Sequence, residues 1–242
     1  MGEALFWGLI ASSSLVLGGL IGMYVRMPPQ WVGVIMAFGA GVLISAVAYE
    51  LVGEAVDTAA GGGGVALGLF GGALTFFAGD ALIARLGGEQ GEADGEEAGG
   101  SALSIVLGTV LDGIPETAVL GLSLLAGEGV SVAVLAAVFL SNLPEAIAAT
   151  TGLVAAGWPR ARVMGMWAGV AVVCGLAALV GYVLLDGASP RTVAIVLAFS
   201  GGAVLTMLAD AMMPEAFERG GKLAGLATTL GFALAFAISE LE

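Results

Sequence analysis

Eight stretches of about 20 apolar residues, separated by short polar breaks, leave this chain few ways to fold. A run of that length crosses the hydrocarbon of a bilayer as a helix, because every backbone N–H and C=O must there be satisfied within the segment. The runs are Ala4–Val25, Trp31–Ala55, Val65–Leu86, Ala102–Leu125, Val130–Ala155, Val163–Leu185, Thr192–Phe217 and Leu223–Leu241. Turn chemistry marks the breaks: Pro28-Pro29, Gly61 to Gly64, Gly127-Glu128-Gly129, Trp158-Pro159, Asp186-Gly187 and Gly220-Gly221. Mean hydropathy is +1.04 and only 11% of residues are charged, outside the range of soluble domains. The expected fold is an all-α membrane protein, one integral domain of eight transmembrane helices over residues 1–242. The first run follows Glu3 with no basic segment before it, so it reads as a span and not as a signal peptide.

Charge fixes an expected orientation. Arg26, Arg85, Arg160, Arg162, Arg219 and Lys222 lie at one set of alternate connections, and Arg191 alone lies at the other. Positive residues stay on the cytoplasmic side, so both termini are expected outside, in the cell (inner) membrane. The acidic, glycine-rich stretch Gly87–Gly100 then becomes a mobile cytoplasmic loop. A net charge of −13 argues against nucleic acid as a partner. The chain has no His, the commonest transition-metal ligand, and its single Cys174 lies in an apolar run. No catalytic constellation is visible, so an enzyme is not expected. The only lysine, Lys222, is at a loop, which excludes an opsin-like pigment.

Sliding the sequence by 161 residues lays Phe6–Ala55 over Trp167–Ala216 without a gap. Ten of the 50 positions are identical, among them Pro29/Pro190, Phe38/Phe199 and Glu54/Glu215. Spans one and two thus resemble spans six and seven. An odd number of spans separates the copies, so they run in opposite directions: a 3+2+3 inverted repeat, with spans four and five at its centre.

Those two central spans carry the chemistry. Leu111-Asp112-Gly113-Ile114-Pro115-Glu116 is followed 29 residues later by Leu140-Ser141-Asn142-Leu143-Pro144-Glu145. Carboxylates at membrane depth are destabilising unless they face a cavity or a partner. Asp112 and Glu116 share a helix face at i and i+4; Asn142 and Glu145 share one at i and i+3. Pro115 and Pro144 kink their helices and free the carbonyls of Leu111 and Leu140. Facing each other, Asp112, Glu116, Asn142 and Glu145 form an oxygen-rich site for a divalent cation. Protonated packing residues, or a proton relay without metal, are the competing readings.

Other polar residues in the spans are candidates for an ion pathway. Glu50 and Glu54 lie toward the outer end of span two, Asp210 and Glu215 toward the cytoplasmic end of span seven, with Asp80 in span three and Ser141 beside the site. Met36, Met166 and Met207 also lie within spans, where gap-filling in packed helices is their ordinary role.

At these residues the chain resembles the ZIP (Zrt/Irt-like) family of metal-ion transporters. The resemblance covers essentially the whole chain: eight spans, outside termini, a polar loop after span three, and Pro-Glu motifs in spans four and five. The family usually reads His-Asn-x-Pro-Glu in span four and His-x-x-Pro-Glu in span five. Here Asp112 stands for the first His, Gly113 for the Asn and Ser141 for the second His, while Glu116 and Glu145 match. Many members carry a metal-bridging glutamate in span six, where this chain has no acid. The resemblance implies transport of zinc, manganese or ferrous iron toward the cytoplasm by an elevator-like movement, often as a homodimer. The metal is cargo, with no resident cofactor. Oxygen ligands in place of imidazole imply weaker zinc preference than in His-bearing relatives. A cation-binding sensor or scaffold, or a proton-coupled carrier, is the alternative.

Overall fold

The computed structural model describes residues 2–25, 27–59, 64–94, 110, 113–114, 116–124 and 130–240, of which 86–94 as backbone only. No strand occurs among the described residues. The helices, in chain order, are α1 (Gly2–Tyr24), α2 (Pro29–Thr58), α3 (Gly64–Asp94), α4 (helical residues 116–123), α5 (Val132–Ala155), α6 (Arg160–Leu185), α7 (Pro190–Gly220) and α8 (Leu223–Ser239). Six of them, α1, α2, α3, α5, α6 and α7, are long and apolar enough to cross a membrane. The protein is therefore an all-α integral membrane protein. At 17 residues α8 is shorter, about 26 Å at 1.5 Å per residue. Asp112, Pro115 and Leu111 lie outside the described residues, as does the second half of the expected acidic loop.

α1, α2, α6 and α7 begin two or three residues earlier than hydropathy alone placed them, and α5 begins two later. Pro29 and Pro190 occupy the first turns of α2 and α7, where a missing N–H costs nothing, and α6 starts directly after Pro159 with Arg160 and Arg162 in its first turn. Ser131 and Ser189 cap α5 and α7, accepting from the amides of Val134 and Thr192 at 3.2 Å each. Gly221, at φ 61°, ends α7 in a conformation that suits glycine. A larger difference concerns Gly87–Gly100, expected to be a mobile linker throughout. Instead α3 continues to Asp94. Adding residues to an existing helix is far cheaper than starting one, and Glu89, Gln90, Glu92 and Ala93 are adequate helix formers.

Two helix bundles make up the molecule. α1 packs on α5 and α6, and α6 also packs on α4. Leu15, Met23, Leu153, Val163, Trp167 and Cys174 form this bundle's core. Trp167 Nε1 donates to Thr150 Oγ1 at 2.7 Å, tying α6 to α5. The second bundle pairs α3 with α7 and α2 with α8. Met36, Leu43, Phe76, Leu197, Met207 and Leu208 are buried there, so Met36 and Met207 are packing residues; Met166 packs against the first core. Glycines let the second bundle close to backbone contact. A Cβ on Gly72 would strike the Phe199 carbonyl, one on Gly231 the Phe38 carbonyl, one on Gly41 the Thr228 carbonyl and one on Gly202 the Leu69 carbonyl.

Both α2 and α7 are interrupted by π-helical segments, Val47–Gly53 in α2 and Leu208–Met212 in α7. Such wide turns are rare and concentrate at functional sites. Glu50 and Asp210 lie inside them.

Candidate metal site and vestibule

α5 brings the second motif to the join between the two bundles. Pro144 sits inside an otherwise continuous helix. The carbonyl it frees, that of Leu140, lies against Gly39 of α2, where a Cβ would come within 2.9 Å of it. The freed oxygen thus lies at the close contact between α5 and α2.

The side chains converge as the motif spacing predicts. Ser141 Oγ donates to Glu116 Oε2 at 3.2 Å and to the carbonyl of Val138 at 3.1 Å. A hydroxyl expected on the pathway is thus a direct partner of the α4 carboxylate. Glu116 is 3% exposed and Asn142 1%. Glu145 is partly exposed, with one carboxylate oxygen fully enclosed. Neither polar atom of the Asn142 amide has a hydrogen-bond partner among the described residues. Leaving a buried polar group unsatisfied costs about 1–3 kcal/mol, so such an amide marks a place where something else binds. Ser141 and Glu116 are thus brought together across α5 and α4, and Asn142 and Glu145 lie within about one turn of Ser141 on α5. No three Asp, Glu, His or Cys side chains form a metal-holding group among the described residues.

The direction of Asn142 follows from α5 itself. The Ala146 and Thr150 side chains face α1, at Gly18 and Gly22, while Ser141 faces Glu116 on α4. At 100° per residue, Asn142 falls between those two directions. Its amide therefore points into the first bundle, between α1 and α4.

Sequence reasoning missed one residue here. Cys174 of α6 is fully buried beside the Ser12 and Thr117 hydroxyls, within reach of the charges on Glu116 and Glu145. A Cβ at Gly113 would stand 2.6 Å from its sulfur. Nothing in the run Val170–Val180 singles this thiol out; the only hint is the glycine inside the first motif.

On one side of Glu116 the space opens toward solvent. Glu116 lines a cavity of about 20 Å³, room for roughly one water, enclosed by Leu43, Val47, Leu51, Val119, Val134 and Val204. Val119 and Val134 also line a vestibule of about 800 Å³. Its polar lining includes Tyr49, Glu50, Glu54, Ser123, Ser131 and Ser239. Glu50 accepts from Ser239 Oγ at 2.6 Å and from Ser131 Oγ at 3.4 Å. Glu54 accepts from Thr58 Oγ1 at 3.1 Å. A wide acidic chamber is thus separated from Glu116 by a collar of aliphatic side chains.

The other pathway candidates lie elsewhere. Asp80 and Asp210 are exposed on α3 and α7 and line neither space. Glu215 is ion-paired with Arg219 at 2.6 Å. No protein-family model matches the chain, and no curated protein matches it.

Proposed function

We propose that this protein is a ZIP-like transporter of divalent metal ions of the zinc, manganese or ferrous iron class, moving them toward the cytoplasm by alternating access. The observation that carries the reading is the buried group of Glu116, Ser141 and Asn142 at the join of two helix bundles, approached from an acidic vestibule through an aliphatic collar. Acids are costly at this depth and are kept where they serve an ion. A static cation site needs no chamber of that size.

An eight-span 3+2+3 inverted repeat is supported by spacing and packing together. The π segments begin at Val47 and Leu208, which are 161 residues apart, the offset of the sequence match. The contact of Gly72 with Phe199 and Ala203 has its counterpart in that of Gly231 with Phe38 and Val42. Gly22 lies over the carbonyl of Ile147 and Gly181 over that of Ala118, again 29 residues apart, like the two Pro-Glu motifs. Under this repeat Asp210 and Glu215 correspond to Tyr49 and Glu54. Asp80 corresponds to Ser239 at the 159-residue spacing that relates Gly72 to Gly231. All three counterparts line the outer vestibule. Asp80, Asp210 and Glu215 are accordingly assigned to a cytoplasmic exit built on the same plan. With the termini outside, as the basic residues favour, the vestibule opens outward, and the first bundle carries the ion past the second.

Metal uptake into proteoliposomes of the purified protein tests this. Uptake is expected from the wild type and should be lost in Glu116→Ala and Glu145→Ala, each of which removes a charged oxygen ligand. Wild-type vesicles that take up no zinc, manganese or iron above protein-free controls would refute the transporter reading.

A further inference from the structure

The thiol of Cys174 has no place in a site made only of oxygen ligands, yet it occupies that site's wall. Three features locate it. Gly113, in the motif of the fourth span, contributes no side chain, and the sulfur stands 2.6 Å from where its Cβ would be. α6 thus fills from the opposite side the space that α4 leaves. The Asn142 amide is 1% exposed and without a hydrogen-bond partner among the described residues, on the same face of α5 as Ala146 and Leu153, which pack in one cluster with Cys174. Glu116 and Glu145 lie near enough for their charges to act on the thiol.

We infer that Cys174 is a ligand of the transported ion, so that this site selects thiophilic divalent metals through a helix-six sulfur in place of the missing imidazoles. The inference rests on the metal-transport reading above and deepens it. Thiolate is a soft ligand that favours zinc and cadmium over manganese and magnesium, whereas carboxylate and amide oxygens alone favour the harder ions. With no His in the chain, Cys174 is the one side chain able to reverse that preference. No three acidic or thiol groups converge among the described residues, so the neutral Asn142 amide is the natural co-ligand. The thiol proton is released as the sulfur–metal bond forms.

Cadmium titrated into the purified full-length protein in detergent provides the test, read as the ultraviolet sulfur-to-cadmium charge-transfer band. The wild type should develop the band and saturate with cadmium. Cys174→Ser should lose it and bind cadmium about tenfold or more weakly, with a much smaller change for manganese. Cadmium binding by the wild type without the band, which needs no variant to fold, would overturn the inference. So would a Cys174→Ser protein of unchanged cadmium affinity. In either case the transport reading stands if Glu116→Ala still abolishes binding. A wild type that binds no divalent ion would instead overturn the site itself.

Discussion

Alanine at Gly72 or Gly231 probes the packing of the α2/α3/α7/α8 bundle. At Gly72 the added Cβ is driven into the Phe199 carbonyl and the Ala203 amide; at Gly231 it meets the Phe38 carbonyl and the Val42 amide. Backbone cannot swing aside as a flexible side chain can, so the helix pair must separate. Overpacking of this kind costs about 1–3 kcal/mol. Alanine also gains about 1 kcal/mol over glycine inside a helix. Gly169 and Gly225 are helical with nothing within 4 Å of an added Cβ, so alanine there takes the gain alone. The buried variants should therefore be less stable than these controls by about 1–3 kcal/mol, which for a chain of this length is a gap in Tm of roughly 2–12 °C. Thermal unfolding of the purified protein in detergent, followed by tryptophan fluorescence, measures it. Four variants that melt together would refute the close approach. A large loss at Gly72 with none at Gly231 would contradict the repeat that makes the two contacts equivalent.

Two further outcomes are expected. In a Cys174→Ala background, a single cysteine placed at Ser189 should react with a membrane-impermeant thiol reagent in intact cells, and one placed at Arg160 should not; the reverse pattern would invert the orientation. Glu50→Gln should slow metal uptake more at low than at high ionic strength, because the charge that concentrates cations in the vestibule is screened by salt. Equal slowing at both would show that Glu50 acts by contact and not by its field.

Much of this was legible because acids and prolines are conspicuous in apolar helices. Glu116, Asn142 and Glu145 stand out by chemical type, and their i, i+3 spacing alone puts the α5 pair on one face. Glu50 and Glu54 were recognisable as lying toward the C-terminal end of span two, where they line the vestibule. Three things were not legible. Helix starts were set by Pro29, Pro159 and Pro190, so hydropathy, which ignores Arg160 and Arg162, placed them late. The π segments leave no trace in residue type, since Val47–Gly53 reads like any apolar helix. Cys174 was invisible because its meaning lies in what faces it: a glycine 61 positions away, on another helix.

The two hydroxyls on Glu50 come from different places. Ser239 belongs to α8 of the second bundle, while Ser131 caps α5, which packs in the first. The carboxylate is therefore a clasp between two bodies that must slide past each other if the ion is to be carried. A cation drawn to Glu50 competes with both hydroxyls for the same oxygens. What it gains there is reduced by the energy of the clasp it undoes, and by reciprocity an open clasp binds the ion more tightly than a closed one. Under the transport reading, an ion arriving at this mouth would loosen the fastening that holds the mouth's two sides together, and an empty mouth would stay fastened.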